Sequence, residues 1–364
     1  MAADHTADSD YEHSSKGADS RVAEFERPKR SALGHVQHTL HNNPVLVPLV
    51  ILALSVLVFG LVTDGRNLSG LAIKITLEQV SVVGILAAAQ TLVILTAGID
   101  LSIGAVMVLS YVAMGHLAVT YGVPAPLAVL GGLATGAGLG AISGLLVTRV
   151  KLPPFIVTLG MWQIVLATVY LYTGSQSIRS QTLDAEAPLL KVFGQRVEFG
   201  DWTFRIAGAP VIWAVVLMVA VFAVFAYIMN HTAWGRHVYA TGDDKEAADL
   251  AGVRSNRILL SVYIVGGFVA AIAAWAAIGR VGSISPSSFT EANLDSIAAV
   301  VIGGTSLFGG RGTILGSLFG ALTVGVFATG LKLAGADPQW VLFASGCLII
   351  LAVALDQWIR RISA

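Results

Sequence analysis

Charged residues are scarce in this chain. Only 12% of its 364 residues are Asp, Glu, Lys or Arg, whereas soluble globular domains carry roughly 25%. A soluble protein of this size would need more polar residues to cover its surface, because its long apolar blocks would otherwise face water. The composition therefore excludes a large soluble domain and favours a protein embedded in a membrane.

Cysteine and the usual catalytic motifs are also missing. The single cysteine, Cys347, lies in an apolar block, which excludes an internal disulfide and a cysteine-based metal site. The net charge of +0 leaves no footprint for nucleic acid. Residues 304–311 resemble a phosphate loop but lack its Lys-Ser/Thr pair. We therefore expect no catalytic site, no metal, no cofactor and no ATP hydrolysis on this chain.

Apolar residues and glycine are abundant instead. Hydrophobic residues make up 55% of the chain, and its 39 glycines would let membrane helices approach closely. A transmembrane helix needs about 20 mostly apolar residues. Blocks near that length predict an all-α fold: a polytopic transmembrane helical bundle of about ten spans with some broken helices. The blocks are 45–63, 79–97, 101–120, 125–147, 155–173, 211–229, 258–278, 294–308, 313–332 and 339–358.

Basic residues predict the orientation of the bundle. Residues 1–42 are polar and lack the apolar stretch of a signal peptide, so we expect a disordered tail and insertion directed by the first span. With ten spans, the clustered Lys and Arg residues fall on one side, which the positive-inside rule assigns to the cytoplasm. Both termini are then cytoplasmic. The clustered basic residues are Arg27, Lys29, Arg30, Arg149, Lys151, Arg236, Lys245, Arg254, Arg257, Arg311, Arg360 and Arg361.

Two sets of glycines recur every four residues. This spacing places each set on one face of a helix, where it predicts tight helix packing rather than a ligand site. The first set is Gly132, Gly136, Gly140 and Gly144, and the second is Gly312, Gly316 and Gly320.

Polar residues inside apolar blocks are the candidates for a translocation path. Asp100 lies between glycines in the segment 96–104, which predicts a broken helix whose free backbone groups line a cavity or are buried. A helix cap or a structural hydrogen bond is an equally open interpretation of Asp100 and Asp295. The candidate path residues are Gln90, Thr96, Asp100, Ser102, Asn293 and Asp295.

Two polar segments stand outside the apolar blocks. Residues 174–210 form a long loop on the side opposite the basic residues, either a docking surface for an extracytoplasmic partner or a solvated connector. Residues 230–257 lie on the basic side. There Asp243 and Glu246 have the spacing of a capping box, and Gly252 suits a left-handed C-terminal cap. The helix between them either docks in a groove of a partner or packs on its own bundle.

Several motifs together resemble the permease subunits of bacterial sugar ABC importers of the ribose, xylose and fructose type. The likeness covers about residues 40–362 in order and is greatest to fructose permeases. The matching segments are 88–104, 151–160, 231–240, 246–253, 301–312, 336–340 and 356–360.

This resemblance implies a mechanism and a set of partners. Residues 43–364 would form the permease domain, paired as a homodimer in the inner membrane. A cytoplasmic ABC ATPase with two fused cassettes would bind ATP and Mg²⁺, and an extracytoplasmic binding protein would deliver the monosaccharide. Residues 230–257 would be the coupling loop to the ATPase. The coupling residues would be Asp243, Asp244, Glu246, Ala247, Ala248, Leu250 and Gly252.

Two other classes of protein compete with this interpretation. An ion-driven secondary carrier or channel predicts paired acids inside the membrane, of which the sequence offers few, and has no need for a capped docking helix. An intramembrane enzyme would require a catalytic set, and none is recognisable.

Overall fold

The computed structural model of the chain describes residues 45–200, 202–337, 339–344, 346–347, 350–351 and 354. The predicted tail 1–42 lies outside these residues, as does much of the predicted span 339–358.

The described residues form a helical bundle. Two short 3₁₀ segments, Arg66–Leu68 and Pro188–Gly194, join some of the helices. The α-helices are α1 (Leu46–Val62), α2 (Gly70–Leu95), α3 (Ile103–Val119), α4 (Ala125–Thr148), α5 (Pro154–Thr173), α6 (Ser180–Glu186), α7 (Trp213–His231), α8 (Ala233–Asp243), α9 (Lys245–Leu250), α10 (Ser255–Val281), α11 (Ala292–Ile302) and α12 (Ile314–Leu333).

Six helices are long and apolar enough to cross a membrane, namely α2, α4, α5, α7, α10 and α12. Three further apolar helices, α1, α3 and α11, are shorter. The chain is therefore a multi-pass helical membrane protein, as predicted. The predicted block 294–308 is not one helix, because α11 ends at Ile302 and the chain continues as a loop to Thr313.

Helix α2 extends further than its apolar block. It starts at Gly70 rather than near residue 79, and its first half holds Lys74 and Glu78. These two side chains lie one helical turn apart, with Nζ and Oε1 separated by 3.7 Å. Because the pair partly neutralises itself, the helix tolerates both charges outside its fully buried half.

The core of the bundle is formed by α2 and α3. Every residue of α2 from Val80 to Leu95 is buried, and so is every residue of α3 from Ile103 to His116. A helix that is apolar on all sides can face lipid or other helices, and the burial of these two stretches shows that other helices surround them. The segment between α2 and α3 therefore joins two buried helix ends.

Glycines bring α4 and α10 into backbone contact. A Cβ atom on Gly136 would overlap with the carbonyl oxygen of Gly267, and one on Gly140 would overlap with that of Tyr263. The prediction that the first glycine set packs tightly is thus confirmed. In the second set, Gly316 lies against Gly303 in the same way. Gly312 does not belong to that helix face, because it precedes α12 with a φ of 139°.

The long segment after α5 folds onto one end of the bundle. It contains α6 and two antiparallel strand pairs, β1 (Glu198–Phe199) with β2 (Trp202–Thr203) and β3 (Arg205–Ile206) with β4 (Ala209–Pro210). The Phe193 ring meets the Trp275 ring of α10 edge to face, with centroids 4.7 Å apart. The segment is thus a folded cap rather than an extended connector.

Candidate functional site

The chain between α2 and α3 is a helix break, residues 96–102. The break follows directly on the buried half of α2 and returns directly into the buried start of α3. Ala97 adopts a φ of 59°, a conformation that residues with a Cβ rarely adopt. The sequence prediction of a broken helix at Asp100 is therefore correct.

Asp100 is the acidic group of this break. It is 7% exposed, and its Oδ1 accepts hydrogen bonds from the backbone N–H of Ser102 at 2.7 Å and from the Ser102 hydroxyl at 2.6 Å. Among the described residues, no basic side chain forms an ion pair with it. Its side chain thus organises the turn into α3 without a cationic partner among the described residues.

Asn293 ties the break to α11. Its Oδ1 accepts a hydrogen bond from the backbone N–H of Gly104 at 2.8 Å, and its Nδ2 donates to the carbonyl oxygen of Leu101. One amide therefore satisfies a free donor and a free acceptor that the helix break creates. Asp100, Ser102 and Asn293, separated by almost 200 positions in the sequence, lie together at one place.

The other predicted path residues lie apart from this group. Thr96 Oγ1 donates to the Val93 carbonyl at 2.8 Å and so closes the end of α2. Gln90 is fully buried in α2, and neither its Oε1 nor its Nε2 has a hydrogen-bond partner in the described structure. Asp295 is half-buried in the first turn of α11.

Sequence reasoning missed two residues of this region. Thr158, near the start of α5, donates from Oγ1 to the Ile99 carbonyl at 2.9 Å, which satisfies another free acceptor of the break. The Tyr263 hydroxyl is buried, and a Cβ on Gly98 would lie 3.3 Å from it. Neither residue stands out in a single sequence, because an isolated Thr or Tyr in an apolar helix has many structural roles.

The short helix in the polar segment 230–257 exists, but its cap differs from the prediction. The cap is Asp244, whose Oδ1 accepts from the backbone N–H groups of Glu246 at 2.9 Å and Ala247 at 3.0 Å. The Asp243 cap was a wrong prediction, because Asp243 is the last residue of α8. Gly252 follows the C-cap with a φ of 86°, as predicted.

Helix α9 has one inward and one outward side. Ala248 is buried, which places it toward the bundle instead of on the predicted docking face. Glu246, Ala247 and Leu250 are exposed, and Leu250 is 91% exposed. Leu250 is therefore the large apolar side chain on the outward side of α9.

Helix α8 anchors α9 to the bundle. Its Trp234 Nε1 donates to Ser261 Oγ of α10 at 2.8 Å, and its Tyr239 hydroxyl donates to the Gly312 carbonyl at 2.9 Å. Burial raises the pKa of Tyr239, so the hydroxyl retains the proton that it donates. The segment is thus attached at two points, to α10 and to the loop before α12.

A cavity of about 730 Å³ opens at the end of the bundle that carries α9. Its lining joins the helix break to the α8–α9 segment and to the turn between α4 and α5. It includes Ala97, Gly98, Lys151, Asp243, Asp249 and Tyr263. The break and α9 therefore share one end of the molecule.

The structure thus combines a buried helix break with an exposed, capped short helix at the same end of a membrane bundle. The permease component of the branched-chain amino acid transport system is the family that matches residues 72–353. The chain belongs to this permease family. It is a transport subunit and not an enzyme.

Named relatives agree with this assignment. The chain is similar to the fructose import permease protein of Rhizobium meliloti, with 54% identity over 94% of this chain and 93% of the relative. The ribose import permease protein of Escherichia coli K12 is 37% identical over 77% of this chain and 84% of its own length. The xylose transport system permease protein of the same strain is 30% identical over 88% of this chain and 93% of its own length. No solved structure matches the chain. The predicted resemblance to sugar permeases is confirmed.

Proposed function

We propose that the chain imports a monosaccharide, with fructose as the first candidate. It is the membrane-spanning permease subunit of an ATP-driven importer of the sugar class. The observation that carries the choice of sugar is the 54% identity to a fructose import permease over 94% of the chain. Ribose and xylose are the next candidates, because relatives with those names match at lower identity.

The exposed side of α9 is the proposed contact with the ATPase. Glu246, Ala247 and Leu250 offer one acidic, one small and one large apolar side chain to a groove, the usual way in which a short helix is recognised. Asp244 and Gly252 preserve the helix ends. Asp243 and Ala248 would act indirectly, through the contacts of α9 with the bundle.

The remaining partners follow from the importer class. The ATPase carries ATP and Mg²⁺ on two fused cassettes, and this chain binds neither. A homodimer of the permease encloses the path, and an extracytoplasmic binding protein delivers the sugar to the folded cap 174–210. The exposed Leu189 and Phe204 support this docking role, since both lie on the cap rather than on a membrane helix.

The helix break is the proposed control point of the path. Polar groups inside a membrane protein are costly, so their concentration at one break favours a functional site. Asp100, Ser102 and Asn293 would line or gate the path there, with Thr96 and Gln90 on the adjoining turns of α2. Asp295 would lie further along α11.

We also propose ten crossings with both termini in the cytoplasm of a bacterial cell. One cavity is lined by the break, the α4–α5 turn and the segment that carries α9. This supports the proposed topology, because each of the three lies after an even number of predicted spans. The short helices α1, α3 and α11 would complete the crossings together with the block 339–358.

Reconstitution in liposomes tests the proposed function. We expect ATP-dependent uptake of radiolabelled fructose only when the chain, its ATPase and its binding protein are all present. Ribose and xylose as competitors rank the candidate sugars. Sugar uptake by this chain alone, driven by a proton or sodium gradient without ATP, would overturn the proposal in favour of a secondary carrier.

A further inference from the structure

Three backbone segments meet next to α9, and we name them the glycine junction: residues 95–97 of the α2 end, 242–243 at the end of α8, and 309–310 in the loop after α11. The Gly310 N–H donates to the Leu95 carbonyl at 3.0 Å. A Cβ on Gly309 would lie 2.5 Å from the Gly242 carbonyl oxygen and 2.7 Å from the Ala97 nitrogen. The three segments thus touch through their backbones.

These contacts leave no room for a side chain. A Cβ on Gly242 would overlap with the Leu95 carbonyl, and one on Gly310 would lie 2.8 Å from the Asp243 Cα. Because the neighbouring atoms are backbone, no rotamer change relieves the overlap. Gly309 and Gly310 also have φ values of 84° and 69°, which favour glycine independently of space.

The junction has open space on its other side. The cavity of about 730 Å³ is lined by Thr96, Ala97 and Gly98 from the break and by Thr241, Gly242 and Asp243 from the α8–α9 segment. Close packing transmits a displacement between touching segments, whereas an adjacent cavity permits the displacement to occur. A concerted shift of the junction would have room in this space.

The two ends of this connection are the two sites already described. Asp243 directly precedes Asp244, which caps α9. Ala97 lies three positions before Asp100, within the break that Asn293 holds. Residues 304–311, which resemble a phosphate loop, provide Gly309 and Gly310. In the proposed function this stretch binds no phosphate, and its glycines form part of the junction instead.

We propose that the glycine junction transmits displacement of α9 to the α2–α3 break, with Gly242, Gly309 and Gly310 as positioning residues for transport. This proposal rests on the proposed docking of an ATPase on α9. It assigns the coupling to backbone contact rather than to the cavity or to the long helices. The Tyr239 hydroxyl, bonded to the Gly312 carbonyl, fastens α8 to the same loop and belongs to the same connection.

Gly242→Ala tests the junction in the assembled importer in liposomes. We expect the number of sugars transported per ATP hydrolysed to fall about tenfold, within the range that residues along a coupling connection produce. The ratio is measured per folded importer, because the overlap of the added Cβ with the Leu95 carbonyl lowers the amount of importer, and the ATPase should still copurify with it. The matched control is Gly266→Ala, a buried glycine of α10 where an added Cβ would meet its nearest atom at 3.7 Å.

Tyr239→Phe is the second variant, because it keeps the ring and removes only the hydrogen bond to Gly312. Its expected effect is a fall in the transport-to-ATP ratio of about two- to tenfold, the size that follows from losing one neutral hydrogen bond. Its control is Tyr227→Phe on the exposed side of α7, which keeps the ring stacking on His231. If Gly242→Ala does not fold, Tyr239→Phe decides the question.

Unchanged ratios in both variants would overturn the proposal. Loss of ATPase copurification in the variants would also overturn it, since the junction would then only hold α9 in place. Failure of the underlying proposed function looks different. In that case the unaltered chain shows no ATP-dependent uptake, or its ATPase does not copurify.

Discussion

The α2–α3 break and helix α9 present their polar residues in opposite ways. The break hides them: Asp100 is 7% exposed, Ser102 1% and Asn293 7%. Helix α9 exposes them, together with Leu250 at 91%. Changes in the break should therefore affect folding and transport together, whereas changes on α9 should affect transport and leave the fold intact.

Asn293→Leu should have the largest effect, since Leu fills similar volume but bonds to neither side of the break. The Gly104 N–H and the Leu101 carbonyl would remain buried without a partner, at a cost of about 1–3 kcal/mol each. We expect less protein in the membrane, a lower unfolding temperature and no measurable uptake. Normal abundance with normal uptake would show that the Asn293 bridge is dispensable. Asn256→Leu, at the cavity edge, is the control.

Leu250→Asp should abolish uptake without destabilising the permease. The substitution places a charge on a side chain that touches little of its own chain, so the unfolding temperature should stay within about a degree. Copurification of the ATPase should fall at least tenfold. Leu250→Met is the matched control and should preserve both. Intact ATPase binding by the Asp variant would remove α9 from the docking surface.

Asp100→Asn separates the charge of the break from its hydrogen bonds. The amide oxygen can still accept from the Ser102 N–H and hydroxyl, so the turn into α3 should form. We expect normal abundance and a reduction in uptake of about tenfold if the charge serves transport. Uptake at the level of the unaltered chain would leave Asp100 with a structural role alone. Asp100→Ala should lower abundance as well.

Asp244→Ala should have the smallest effect. Loss of a side-chain N-cap costs about 1 kcal/mol, and α9 has only six residues to retain its helical form. We expect the affinity for the ATPase to fall several-fold in a direct binding measurement. Asp243→Ala is the comparison that distinguishes the observed cap from the sequence prediction. If the Asp243 variant binds more weakly than the Asp244 variant, the observed cap does not control docking.

The sequence predicted the helices of this protein better than the tertiary contacts between them. Apolar block length located the helices, and the glycines beside Asp100 located the break. Asn293 could be selected as a polar residue, but its pairing with Leu101 and Gly104 spans about 190 positions, a separation over which no periodic pattern extends. The capping box failed by one residue because Asp243 and Asp244 are adjacent and chemically alike, and only the end of α8 distinguishes them.

The orientation of α9 also escaped prediction. A helix of six residues is too short for its periodicity to define a face, so the sequence predicts the same coupling role for Ala247 and Ala248. The bundle separates them, since Ala248 packs inward and Ala247 faces outward. The sequence also could not predict the glycine junction. Gly309 and Gly310 belong to a stretch that resembles a phosphate loop, and their actual neighbours come from two distant segments of the chain.

The contact between α4 and α10 has a consequence for laboratory evolution. Gly136 and Gly267 each approach the carbonyl of the other, and both already carry the smallest side chain. A second mutation at the partner position therefore cannot compensate for a change at either one. A mutational library aimed at widening the sugar range should leave both codons fixed and place its diversity elsewhere.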